Sequence, residues 1–79
     1  MAPTIDIVDG IRILFYNGEH WPPHFHAIYN EYEVIIDIQK TTVIAGQMPK
    51  KALKKVYISL AENKGWAVDI FFELNPELR

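Results

Sequence analysis

The sequence contains no cysteine. This absence excludes disulfide bridges, thiolate metal ligands and a cysteine nucleophile. Because small secreted domains often rely on disulfides, it also favours a cytoplasmic location. The sequence lacks an apolar run of the ~20 residues that cross a bilayer, and its first residues show neither the basic residue nor the apolar stretch of a signal peptide. We therefore expect a cytoplasmic protein that does not enter the membrane.

An excess of positive charge is absent as well. The net charge is −2, which argues against extensive sequence-independent binding of nucleic acid. The sequence also has no glycine-rich phosphate loop and no serine-nucleophile motif. Residues 1–46 contain two basic and six acidic residues, whereas residues 47–79 contain six basic and four acidic ones. This asymmetry is a candidate basis for recognising a partner.

Short alternating segments predict that residues 1–46 are the strand-rich half of a single domain spanning residues 1–79. Asp9-Gly10 and Asn17-Gly18 are typical of two-residue hairpin turns. The consecutive prolines Pro22 and Pro23 cannot lie in a central ladder, so the segment that contains them is expected to be a stiff, extended loop. The predicted strands are residues 5–8, 11–16, 24–30, 32–39 and 41–45, after which Gly46 breaks the pattern.

Residues 47–79 are expected to be helical. Pro49 suits the first turn of a helix, and Gly65 is suited to end that helix in a left-handed conformation. Apolar residues recur at helical spacing on both sides of Gly65, and Pro76 ends the second stripe. The order of elements predicts an α+β domain: a small antiparallel sheet of four to five strands, followed by two C-terminal helices packed on one face. The aromatic residues expected in the core are Phe15, Phe25, Tyr57, Trp66 and Phe71.

All three histidines of the chain, His20, His24 and His26, fall within seven residues. On a strand, His24 and His26 project from the same face, about 7 Å apart at the backbone. Imidazoles in this arrangement can hold a divalent transition metal such as zinc, with Glu19 or Asp37 completing or orienting the site. The same rings suit an acid–base pair or a binding surface, and histidines on a strand also occur in purely structural roles.

Four lysines and one tryptophan are the other candidates for binding. The lysines share one helical face, which is either the solvated side of the helix or a site for an anionic partner such as a short RNA. Trp21 lies between two histidines in the proline-bounded loop. It is either a lid over the sheet edge or an exposed aromatic anchor. The candidate partner- or anion-binding residues are therefore Trp21, Lys50, Lys51, Lys54 and Lys55.

The sequence resembles the bacterial family called domain of unknown function 4160. The resemblance rests on Pro3-Thr4-Ile5, on Phe15-Tyr16, on the segment Glu19-His20-x-Pro22-Pro23-His24-x-His26, and on Pro49 opening the helical half. It departs from the usual pattern where Phe71-Phe72 follows Asp69. The resemblance implies the fold and the histidine segment as a site, but no reaction. It further implies a small partner of the domain of unknown function 2442 family in a toxin–antitoxin-like arrangement.

Three functions follow as alternatives. The first is a protein-interaction module of that two-protein arrangement, using an exposed sheet edge. The second is a metal-independent ribonuclease, in which His24 and His26 act as general base and acid while Lys50 or Lys54 stabilises phosphate charge. The third is metal binding by His20, His24 and His26. The sequence does not choose between an enzyme and a binding protein, and it leaves the oligomeric state open.

Overall fold

A computed structural model describes residues 4–16 and 18–79, including all side chains of this set except those of residues 4–6 and 8. Five strands precede one long helix and a short 3-10 turn. The antiparallel sheet has the strand order β1-β2-β3-β4-β5, so each strand pairs with its neighbours in the chain. The predicted α+β class is therefore confirmed. The elements are β1 (Thr4–Val8), β2 (Ile11–Phe15), β3 (His24–Tyr29), β4 (Tyr32–Asp37), β5 (Thr42–Gln47), α1 (Lys50–Leu74) and the 3-10 turn (Pro76–Leu78).

The first hairpin turns at Asp9-Gly10, as predicted. Both residues have positive φ, 50° and 81°, and Val8 pairs directly with Ile11. Such turns match the right-handed twist of the strands they join, which is why this dipeptide is a strong hairpin signal. The prediction of a second turn at Asn17-Gly18 falls partly outside the described residues, because Asn17 is not among them.

The prediction of two C-terminal helices is wrong. Gly65 lies inside α1, and the only non-helical backbone within the helix is at Asn63, with φ −128° and ψ 21°. The reason is that the apolar stripe does not change direction at the glycine. From Ala52 to Phe71 the buried positions are four, four, seven and four residues apart, a spacing that at 100° per residue keeps them on one side of a helix. The helix is therefore kinked at Asn63 but does not end there, and its two segments bury Val56 and Leu60 on one side of the kink and Ala67 and Phe71 on the other.

The core lies between α1 and the sheet, where α1 contacts β1, β2 and β3. Three of the five aromatic residues expected in the core are buried, namely Phe15, Phe25 and Phe71. Tyr57 is only partly buried, and Trp66 is exposed although its ring meets Phe15 edge to face at 5.8 Å. Within the described part of the chain, no helix combines the length and apolarity needed for a bilayer span.

The last strand continues through Gly46 instead of stopping before it. Gly46 has a φ of +83°, and a Cβ at this position would overlap the carbonyl oxygen of Glu33 on the neighbouring strand. Only glycine satisfies both conditions, so the residue that breaks the sequence pattern is the one that lets β5 pair closely with β4. The register between these strands also shifts at Ile35 and Ile36, which is the signature of a β-bulge.

Candidate functional site

The histidine segment lies where β3 begins. The pairing of β2 with β3 ends at Leu14 opposite His26, so His24 lies beyond the part of β3 that pairs with β2. On the other side, β4 continues alongside, with Ile35 opposite His26 and Asp37 opposite His24. The loop that precedes β3 is thus free to fold back beside the two imidazoles.

Glu19, from that loop, contacts both imidazoles. Its Oε2 atom lies 3.0 Å from His24 Nε2, and its Oε1 atom lies 3.1 Å from His26 Nε2. One carboxylate therefore joins two histidines through its two separate oxygens. The side chains of Glu19, His24 and His26 are 22%, 9% and 15% exposed, so water has limited access to these contacts. The three residues offer ligand atoms that all lie within 4.8 Å of one another.

The other nitrogen of each ring is also held. His24 Nδ1 donates a hydrogen bond to the carbonyl oxygen of Pro22 at 2.7 Å. His26 Nδ1 lies 3.1 Å from Oε2 of Glu33, which projects from β4. A carbonyl or an ionised carboxylate can only accept, so both Nδ1 atoms carry a proton. In a neutral ring this leaves the lone pair on Nε2, which in both histidines is directed at Glu19.

Aromatic rings form the walls of this site. Tyr16 meets His26 edge to face at 4.7 Å between ring centroids, and Phe71 lies 5.3 Å from His24. Phe71 belongs to the last turn of α1, so the site lies at the C-terminal end of the helix. Apolar walls lower the local dielectric, which strengthens the electrostatic interactions between the polar groups that they enclose.

Sequence reasoning placed Glu19 near the site but missed Glu33 and Asn75. Glu33 could have been found, because a two-residue turn after Tyr29 places it on the strand beside His26. Asn75, which accepts a hydrogen bond from the backbone N–H of Glu19 at 2.8 Å, is separated from Glu19 by 56 residues. No local pattern in the sequence indicates that contact.

Comparison with known families identifies the chain's family. The model of the family described as a domain of unknown function, DUF4160, matches residues 10–69. The chain belongs to this family. The match covers Glu19, His24, His26 and Glu33, whereas Asn75 lies beyond it. No curated protein and no solved structure shows significant similarity to this DUF4160 member.

The other predicted site residues of this DUF4160 member are not part of the Glu19–His24–His26 group. His20 is exposed and contributes no ligand atom to that group. Trp21 is 57% exposed, and its ring packs against Phe72 at 5.8 Å. Asp37 is buried, and its Oδ1 accepts a hydrogen bond from the backbone N–H of Lys40 in the turn after β4. The structure therefore brings together two of the three histidines.

The lysines occupy the opposite end of the helix from the site. Lys50, Lys51, Lys54 and Lys55 lie in its first two turns and are exposed. Lys50 and Phe71 are separated by 21 residues, which corresponds to about 30 Å measured along the helix, which is kinked at Asn63. A substrate phosphate held at His24 or His26 is therefore out of reach of these lysines.

Proposed function

We propose that the protein binds one divalent transition-metal ion through Glu19, His24 and His26. One observation carries the proposal. Both histidines have Nδ1 committed to an acceptor while both Nε2 atoms point at the same carboxylate, at 3.0 and 3.1 Å. Histidines that ligate metals show this arrangement, because the acceptor on the far nitrogen fixes the tautomer and aims the lone pair.

The contacts to Glu19 also need a positive charge, supplied either by a proton on each Nε2 atom or by a cation between the three side chains. A neutral imidazole has a single N–H, which each ring already uses at Nδ1. The Nε2 lone pairs of His24 and His26 and the Glu19 oxygens are then all acceptors facing one another. A divalent cation removes this conflict at once. It also balances the two carboxylates of Glu19 and Glu33, which among the described residues have histidine as their only ion-pair partner.

The dimensions of the site suit a small ion. Ligand atoms about 2.0–2.2 Å from a tetrahedral zinc lie roughly 3.3 Å from one another. The two distances from Glu19 to His24 and His26 are already close to that value. One ligand atom from each of the three residues lies within 4.8 Å of the others, so these atoms need to approach by at most roughly 1.5 Å to reach the same geometry. Two histidines and one carboxylate leave a coordination position open, as in catalytic zinc sites and in non-haem iron(II) sites.

The ligand set makes a specific prediction about the histidines. His24→Ala is expected to weaken zinc binding by more than roughly 100-fold, because even outer partners of a ligand are worth about 10- to 100-fold. His20→Ala, the matched control, is expected to leave the affinity unchanged, since His20 is exposed and outside the group. Titration against a chromophoric chelator measures both. Equal losses for the two variants would mean that the structure assigns the wrong ligands.

The second candidate function is that of a protein-interaction module, and the position and exposure of β5 support it. This strand lies at one edge of the sheet, all six of its residues are exposed, and none of them is charged. Uncharged, exposed edges are ready to pair with a strand from another chain. We therefore retain, as a proposal, a small partner of the domain of unknown function 2442 family in a toxin–antitoxin-like pair, bound along β5.

Ile44, which is 49% exposed on β5, tests this surface. Ile44→Lys is expected to abolish co-purification with the domain of unknown function 2442 partner, because a charge on the edge opposes strand addition. Ile58→Lys is the control, since this isoleucine is equally exposed but lies on α1. If Ile44→Lys captures as much partner as the wild type does, β5 is not the interface. If the wild-type protein does not retain the partner either, the proposal of a protein-interaction module is refuted.

The geometry does not favour a ribonuclease. The lysines expected to stabilise phosphate charge lie at the far end of α1, and Glu19 occupies the space between His24 and His26 where a phosphate would have to enter. Two carboxylates beside the imidazoles repel an anionic substrate and attract a cation. The same observations that support metal binding therefore argue against acid–base cleavage of RNA.

A further inference from the structure

We infer that Asn75 is a positioning residue for the metal site, an inference that rests on the proposed function. Asn75 is completely buried, where an amide is costly unless its hydrogen bonds are made. Its Oδ1 accepts from the backbone N–H of Glu19 at 2.8 Å. Its Nδ2 donates to the carbonyl oxygens of Tyr16 at 2.9 Å and Phe71 at 3.0 Å. One side chain thus ties together the end of β2, the loop that carries Glu19 and the last turn of α1.

These bonds determine where the Glu19 carboxylate lies. Glu19 belongs to no strand or helix, so the hydrogen bond from its backbone N–H to Asn75 is the contact that fixes its main chain. The carboxylate in turn must reach two imidazoles at once, 3.0 and 3.1 Å away. A small displacement of the loop lengthens both contacts together. Asn75 therefore acts on the ion through Glu19, without touching the ion itself.

The chemistry of the side chain explains why an amide is used. The position needs an acceptor directed at one N–H and a donor directed at two carbonyl oxygens, and an asparagine amide supplies both. Aspartate keeps the acceptor but loses the donor, and alanine loses both. Asn75 lies at the C-terminal end of α1. The metal site is therefore complete only when this end of the helix is docked.

Zinc affinity in three variants tests the inference. Asn75→Ala is expected to weaken zinc binding by ~10- to 100-fold, the range found for residues that orient a metal ligand. Asn75→Asp retains the oxygen that faces Glu19 but sets a buried carboxylate against the carbonyl oxygens of Tyr16 and Phe71, so it is expected to lose affinity as well. Asn63→Ala is the matched control. Asn63 also donates from Nδ2 to the carbonyl four residues earlier, that of Ser59, but it is exposed and its only hydrogen bond of this kind lies outside the site.

The control separates positioning from a general effect on folding. If Asn75→Ala does not fold without metal, Asn75→Ser takes its place and the same loss is expected. Asn75 variants that fold and bind zinc as tightly as the wild type would overturn the inference while leaving the proposed function intact. An Asn75→Asp protein that binds zinc as tightly as the wild type would also overturn it, since the hydrogen bonds donated to Tyr16 and Phe71 would then be irrelevant. Wild-type protein that binds no zinc would instead refute the proposed function, and this inference with it.

Discussion

Glu19→Gln is expected to weaken zinc binding by more than roughly 100-fold, since loss of a ligand exceeds the 10- to 100-fold effect of an outer partner. The substitution keeps the shape of the side chain but removes its negative charge and replaces one oxygen by an amide that only donates. In the wild type each oxygen faces a different histidine. The variant therefore loses a ligand to the ion and its contact with one of the two rings.

The fold is expected to survive this change. The backbone N–H of Glu19 still donates to Asn75, because that contact does not involve the Glu19 side chain. Glu62→Gln is the matched control, since Glu62 is an exposed carboxylate of α1 outside the metal-ligand group. Its affinity for zinc is expected to equal that of the wild type. Chelator competition measures both variants, and a Glu19→Gln protein that binds zinc as tightly as Glu62→Gln would exclude Glu19 as a ligand.

Phe71→Ala is expected to destabilise the protein by ~3–5 kcal/mol, the usual cost of deleting a fully buried phenylalanine. Phe71 is 1% exposed, belongs to the core cluster and lies against the His24 ring. A domain of this size has a total stability of only about 5–10 kcal/mol. The substitution is therefore expected to remove between about a third and all of the stability, a loss that urea denaturation followed by circular dichroism measures.

Two comparisons make the Phe71 prediction specific. Ile58→Ala removes an exposed side chain of the same helix, so its effect is expected to stay within about 0.5 kcal/mol. Phe71→Leu keeps most of the buried volume and is expected to fall between the two. If Phe71→Ala lowers the free energy of unfolding by less than about 1 kcal/mol, the packing of α1 on the sheet is contradicted, since deleting a buried phenylalanine costs more than this.

The strands could be predicted well because their signals are local. Asp9-Gly10 defines a hairpin by its own backbone preference, and the branched residues around it alternate with the period of a strand. The helical half was harder. Gly65 is a good helix terminator in isolation, but the buried stripe from Val56 to Phe71 continues past it. Tertiary packing therefore overrides the preference of a single residue.

The site could be predicted in part for a related reason. His24 and His26 lie on one strand, so their common direction follows from strand geometry. His20 belongs to a loop, and sequence proximity does not fix which way a loop residue points. Asn75 contacts Glu19 only because the whole chain folds back on itself. A long-range contact of that kind has no local signal in the sequence.

The distribution of charge now has a structural meaning. The basic start of α1 and the carboxylates around His24 and His26 lie at opposite ends of one helix. Separating them keeps the lysines from competing with a metal ion for Glu19 and Glu33. Glu19 and Glu33 therefore lie apart from the four lysines, whereas Asp9, which also belongs to the acidic half, lines the same pocket as Lys51 and Lys55.

Metal content decides the central proposal most directly. The wild-type protein, prepared without a histidine tag, is equilibrated with a small excess of zinc, passed through a desalting column and examined by elemental analysis. Glu19, His24 and His26 predict close to one zinc ion per chain, and less than a tenth of that in Glu19→Gln under the same treatment. A wild-type content well below one ion per chain, or the same content in both proteins, would contradict a metal site at these residues.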